Sequence, residues 1–193
     1  MSFRRDVTSV ARQYALPSSL VVAFAQALSG GIGESRYDPN WDATRIQPIA
    51  VWREHPEWLG DGPTAHDWFV YHPESAPQRC AGRDYSFVAQ EQLAGRYGPF
   101  LLYYVEALEA GWLAAPQELV TELEMPIALL RDEVDWAAER CGDELDALRV
   151  AIARFNGHHA GNHDPDHLEN HGLIEAVEYT HRQLYGRAFW RMV

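Results

Sequence analysis

Leu20-Val21-Val22-Ala23-Phe24-Ala25-Gln26-Ala27-Leu28 is the stretch that decides the fold of this chain. It is apolar at nearly every position, so a helix through it has no face to offer water. Such a helix belongs inside a protein, covered by other elements. Pro17-Ser18-Ser19 precedes it as a break with a ready N-cap. Ser29-Gly30-Gly31-Ile32-Gly33 ends it, because closely spaced glycines favour a loop.

Helical spacing continues outward from this segment. Phe3, Val7, Val10, Ala11 and Tyr14 predict a first helix. Residues 36–84 read as irregular, with Pro39, Pro48, Pro56, Pro63, Pro73 and Pro77 among Trp41, Trp52, Trp58 and Trp68. That is long for a structureless loop, so short helices or a small hairpin are expected there, forming one wall of a cleft. From Tyr85 the pattern is helical again; Pro99 interrupts one helix, and Phe100 to Leu108 restarts it. Pro116 suits a first helical position, and Pro126 begins another helix. Leu130, Val134, Ala137 and Cys141 form an apolar stripe ended by Gly142. Asp143 then caps a helix whose buried face is Leu145, Leu148, Ile152 and Phe155. A polar loop, Gly157 to His171, leads to a last helix with Leu173, Val177, His181 and Leu184. The expectation is a mainly α protein with residues 1–193 in one domain.

The chain has 193 residues with 47% apolar content, enough to build a core. Seven Trp and nine Tyr serve either a large aromatic core or a groove whose flat rings stack on sugars. A formal net charge of −12 argues against nucleic acid and against an anionic membrane surface as partners. It leaves room for a basic protein partner. The sequence holds no apolar run long enough for a membrane-spanning helix, and its start does not read as a secretory signal. Cys80 and Cys141 are too few for a disulfide scaffold; they form one bridge or stay free.

Two further motifs carry chemistry: Glu34-Ser35-Arg36-Tyr37-Asp38-Pro39-Asn40, and Ala153-Arg154-Phe155-Asn156-Gly157. With the apolar helix before them, Gln47 between them and Tyr179 after them, they resemble lytic transglycosylases and goose-type lysozymes of the lysozyme-like superfamily. The similarity covers roughly residues 14–48 and 143–185. It implies a helical lysozyme-like domain with the Pro/Trp-rich segment lining the cleft. It also implies cleavage of peptidoglycan between N-acetylmuramic acid and N-acetylglucosamine, by a muramidase or a lytic transglycosylase. Glu34 takes the place of the catalytic acid if Ser29–Gly33 is an insertion. Without a gap, Leu28-Ser29-Gly30 falls there and the acid is missing, which implies a lysozyme-like module that only binds glycans or other proteins. Phe155 stands where the family has Tyr.

One glutamate suffices for the first step. Breaking a glycosidic bond needs an acid to protonate the leaving oxygen, and an apolar pocket raises a carboxyl's pKa so that it keeps its proton. A transglycosylase reuses that group as base on the sugar's own hydroxyl. A hydrolase needs a second carboxylate, for which Asp38 and Asp42 are the candidates. Gln47, Phe155, Asn156 and Tyr179 are the expected substrate-binding residues. Asn156 also suits a helix C-cap beside Gly157. The His-rich loop from Gly157 to His167 matches no metal motif, and neither metal nor cofactor is expected.

The chain is similar to small glycoside hydrolase effectors delivered by type VI secretion. That likeness implies synthesis in the cytoplasm, action in a rival's periplasm and a cognate immunity protein that occludes the cleft. A phage endolysin is the further alternative, disfavoured by the acidic charge.

Overall fold

The computed structural model describes residues 3–33, 35–37, 95–110, 112, 116–157, 165–166 and 168–189. The chain is mainly α. It forms two compact units, one of residues 1–32 with 122–193 and the other of residues 33–121.

The first unit is built around the apolar helix. Helix α1 (Phe3–Gln13) lays Val7 and Ala11 inward, with Asp6 in its first turn and Arg12 in its last, as the helix dipole favours. Helix α2 (Ser18–Ser29) buries every residue from Leu20 to Ala25. Its expected serine cap does not form. Pro17 occupies the cap position in an extended conformation, and Ser18 Oγ instead donates to the Thr8 carbonyl of α1. The C-terminus closes as the glycines predict. Gly30 is left-handed at φ 73° and returns its N–H to the Gln26 carbonyl at 2.9 Å.

Helices α4 (Glu124–Ala138), α5 (Glu144–Gly157) and α6 (Leu168–Tyr185) complete this unit. Pro126 lies in the first turn of α4, where its missing N–H costs nothing, and Glu122 Oε1 accepts from the N–H groups of Glu124 and Met125. Asp143 caps α5 as expected, its Oδ1 accepting from Leu145 N at 2.7 Å and Asp146 N at 3.1 Å. Leu148, Ile152, Val177 and His181 are buried.

The helices cover α2 from several directions. Helices α1 and α6 pack along it. From α5, the Phe155 ring meets Phe24 edge-on, with centroids 5.4 Å apart. Helix α4 packs on α5, and that contact holds a mostly buried ion pair in which Arg154 Nε donates to Glu133 Oε2. The Arg154 guanidinium also sits 3.6 Å from the Trp136 ring centre, and Arg140 lies 4.2 Å from it.

The second unit carries a three-stranded antiparallel sheet. Strands β1 (Ser35–Tyr37), β2 (Gly95–Tyr97) and β3 (Leu102–Tyr103) lie in that order. Ser35 pairs with Tyr97, and Tyr97 with Leu102. A short helix α3 (Tyr104–Glu109) follows, then a 3-10 helix at Pro116–Val120 that opens on the expected proline. Tyr97, Phe100, Leu102, Tyr104 and Leu119 are buried in this unit.

This sheet corrects the sequence expectation around Pro99. Pro99 does not break a helix there; it belongs to the turn of a hairpin. Its fixed φ suits the second position of the turn from Gly98 to Leu101, closed by Leu101 N donating to the Gly98 carbonyl at 3.1 Å. Flanking Arg-Tyr and Leu-Tyr pairs then favour strands. Leu101 takes a left-handed φ of 48°, rare for leucine, while its side chain is buried.

Phe24→Ala should destabilise the first unit by about 3–5 kcal/mol, the range for emptying a buried aromatic site. Asp143→Ala should cost about 1 kcal/mol through the lost cap. Urea denaturation followed by far-ultraviolet circular dichroism measures both, and the order of the two effects is the check.

Candidate functional site

Glu34 lies outside the described residues, as do Asp38, Asp42 and Gln47. The residues on either side of Glu34 are described, and both are tightly constrained. On one side is Gly33. A Cβ there would fall 2.2 Å from the carbonyl oxygen of Val120 in the 3-10 helix, so no larger residue fits. On the other side is Ser35, the first residue of β1, held in register opposite Tyr97. The backbone at Gly33 and at Ser35 is therefore constrained by contacts within the second unit.

The sheet that fixes it is itself well supported. Tyr97 lies over Gly95, where a Cβ would sit 2.6 Å from its hydroxyl. Its ring meets Tyr104 edge-on at 6.3 Å. Burial pushes the Tyr97 phenol above its usual pKa. Across the hairpin, the Arg96 guanidinium covers its register partner Tyr103 at 4.6 Å. Glu106 Oε2 accepts from Tyr103 N at 3.0 Å, tying α3 to β3. Gly98 is left-handed at φ 73°, and a Cβ there would lie 2.5 Å from the Leu119 carbonyl oxygen. The 3-10 helix thus meets glycines from both the Glu34 segment and the hairpin turn.

The competing position, Leu28, falls in the last turn of α2 and is half-buried. After it the chain leaves the helix through Gly30 and Gly31, both at φ 73°. A side chain on Gly31 would strike Phe3 and Gln26 at 2.7 Å.

In the first unit, Phe155 and Asn156 close helix α5. Phe155 packs on Phe24, joining the Phe-Asn-Gly motif to the apolar helix. Asn156 Nδ2 donates to Asn170 Oδ1 at 3.1 Å, and Asn170 is only 2% exposed. This amide contact fixes the start of α6 against the end of α5. Tyr179 is not brought to that pair. It follows Asn170 by about two and a half helical turns, on the opposite side of α6, and is 65% exposed.

Sequence reasoning missed Gly95, Tyr97, Gly98, Leu119 and Val120. The available signal was the Gly-Arg-Tyr-Gly-Pro run at 95–99, whose two glycines and proline mark a hairpin turn. Cys141 is a free thiol, and Cys80 lies outside the described residues. Most of the His-rich loop also lies outside them. Among the described residues no group of three His, Cys, Asp or Glu could hold a metal ion. Among them, too, no helix is long and apolar enough to cross a membrane. Comparison with family models, with curated proteins and with solved structures finds no match to this chain.

Gly33→Ala should destabilise the second unit by about 1–3 kcal/mol, because the added methyl meets a backbone carbonyl. Thermal denaturation measures the shift. Tyr97 gives a pH signature of defined sign. Its folded-state pKa is raised, so its stabilising contribution is complete below the ordinary tyrosine pKa of about 10 and is lost as pH rises through the folded value. The alkaline fall in stability should be shallower in Tyr97→Phe, as urea midpoints between about pH 9 and pH 11 would read.

Proposed function

We propose that this protein cleaves peptidoglycan glycan strands between N-acetylmuramic acid and N-acetylglucosamine, with Glu34 as the general acid. The observation that carries this reading is the double constraint on the backbone around Glu34. Gly33 has no room for a side chain against Val120, and Ser35 is registered on Tyr97. A solvated loop carboxylate needs no such fixing, whereas a proton donor must be held close to its target geometry. The contact of Phe155 with Phe24 supports the same reading, since it joins two of the motifs that carry the lysozyme-like resemblance.

In this mechanism the Glu34 carboxyl protonates the glycosidic oxygen as the bond breaks. The carboxylate left behind then takes a proton from the 6-hydroxyl of the muramic acid, giving an anhydro product. Alternatively it takes the proton from water, giving a reducing end. The second route uses a further carboxylate, and Asp38 and Asp42 are the nearest in sequence. Gln47 is assigned to a substrate amide. The mechanism needs no metal or cofactor. The proposed setting is an antibacterial effector acting in the periplasm of a rival cell, opposed by an immunity protein that blocks the site. A chain of net charge −12 favours basic residues on that protein.

Glu34→Gln should lower cleavage of purified peptidoglycan by about two to four orders of magnitude with folding intact. Near-normal turnover by the folded variant would remove Glu34 from the mechanism. Leu28→Glu would then be the informative variant, because gained activity would establish the ungapped register and the binding-module origin. Expression with a fused secretory signal should lyse bacteria, while expression without one should not. Equal toxicity in both compartments would point to a cytoplasmic target.

A further inference from the structure

Helices α5 and α6 leave an open groove of about 520 Å³ in the first unit. Its floor is apolar, with Ile174 buried and Leu145 half-buried. Its rim is charged. Asp143, Asp146, Glu175 and Glu178 contribute four carboxylates, against the guanidinium groups of Arg149 and Arg182. Tyr179 stands on the rim at 65% exposure, the most exposed of the large hydrophobic side chains among the described residues.

Both arginines are already engaged by acidic neighbours. Arg149 lies 3.7 Å from Asp146 and 3.8 Å from Asp166, and Arg182 lies 3.2 Å from Glu178. Glu175 approaches the exposed ring of His171 at 3.8 Å, and its own side chain is 71% exposed. The groove therefore carries excess negative charge beside an exposed aromatic ring and an apolar floor. That combination fits a segment that brings cations and an apolar face together.

We propose that the α5–α6 groove is a docking surface for a basic amphipathic helix of a partner protein. Lysines or arginines of the incoming helix would meet Glu175 and Asp146. Its apolar side chains would cover Tyr179 and the Ile174 floor. Burying the exposed tyrosine and adding cations to a rim whose four carboxylates outnumber its two arginines give the contact its specificity. The inference does not rest on glycan cleavage and holds whether or not the chain is an enzyme.

The probe is a synthetic helical peptide of lysine and leucine, titrated into the full-length protein by calorimetry and by amide chemical-shift mapping. A glutamate–leucine peptide of equal length is the control. The lysine peptide should bind and move amides of residues 145–149 and 171–182, while the control should not. The double variant Glu175→Lys with Tyr179→Ala should weaken binding by at least about tenfold. Asp132→Lys makes the same charge change at an exposed position on α4, outside the groove, and should weaken it far less. Equal weakening by both variants, or shifts spread over other faces, would reduce the effect to general charge and overturn the proposal. So would chitotetraose moving the same amides while the peptide does not, which would make the groove a saccharide site. Concentration-dependent shifts of the protein alone at these residues would instead assign the groove to a second copy of the chain.

Discussion

The structure of the first unit depends on one constraint: the stretch Leu20 to Ala25 of helix α2 has no polar face. Six consecutive residues, Leu20 to Ala25, are buried, so the helix must be covered all round. No single neighbour can do that. Helices α1 and α6 lie along it, and α5 reaches it through Phe155. Each buried large side chain is worth about 1.5–3 kcal/mol, so covering these residues draws α1, α5 and α6 onto α2. The Asn156–Asn170 amide contact and the Glu133–Arg154 ion pair then set registers that apolar packing leaves loose. Removing one partner of such a pair costs more than the pair contributes, because the other is left buried and unmatched.

The second unit is governed by a constraint of another kind, close backbone approach. The carbonyls of Leu119 and Val120 leave no space for a Cβ on Gly98 or Gly33. Two glycines far apart in sequence are thus required by one short 3-10 helix. Tyr97 links these contacts, because it pairs with Ser35 on one side and Leu102 on the other while its ring covers Gly95. The proposed role of Glu34 draws its physical plausibility from this arrangement.

The first unit was largely legible in the sequence. Apolar spacing marked α1 and the stripe of α4, and Asp143 announced its cap; of the faces read for α5 and α6, Leu148, Ile152, Val177 and His181 are buried while Leu145, Phe155, Leu173 and Leu184 are half-buried. These features depend on local periodicity, which a single sequence displays. Ser18 misled because Pro17 could serve as the cap residue while the Ser18 hydroxyl found a partner on another helix. The β2–β3 hairpin was missed because Phe100 to Val105 is apolar throughout, and a short apolar run does not distinguish strand from helix. The roles of Gly33 and Gly98 were illegible for a deeper reason. They follow from the carbonyls of Leu119 and Val120, which only the tertiary structure brings near. Tyr179 was chosen for its type and place after the Phe-Asn-Gly motif, but its rotation about α6 takes it away from Asn156.

The central claim is that this chain breaks a glycosidic bond. Mass spectrometry of purified peptidoglycan after incubation with the wild-type protein tests it most directly. The account predicts disaccharide-containing fragments ending in muramic acid, either as the anhydro form or with a reducing end. Intact glycan strands after prolonged incubation with the folded protein would contradict it.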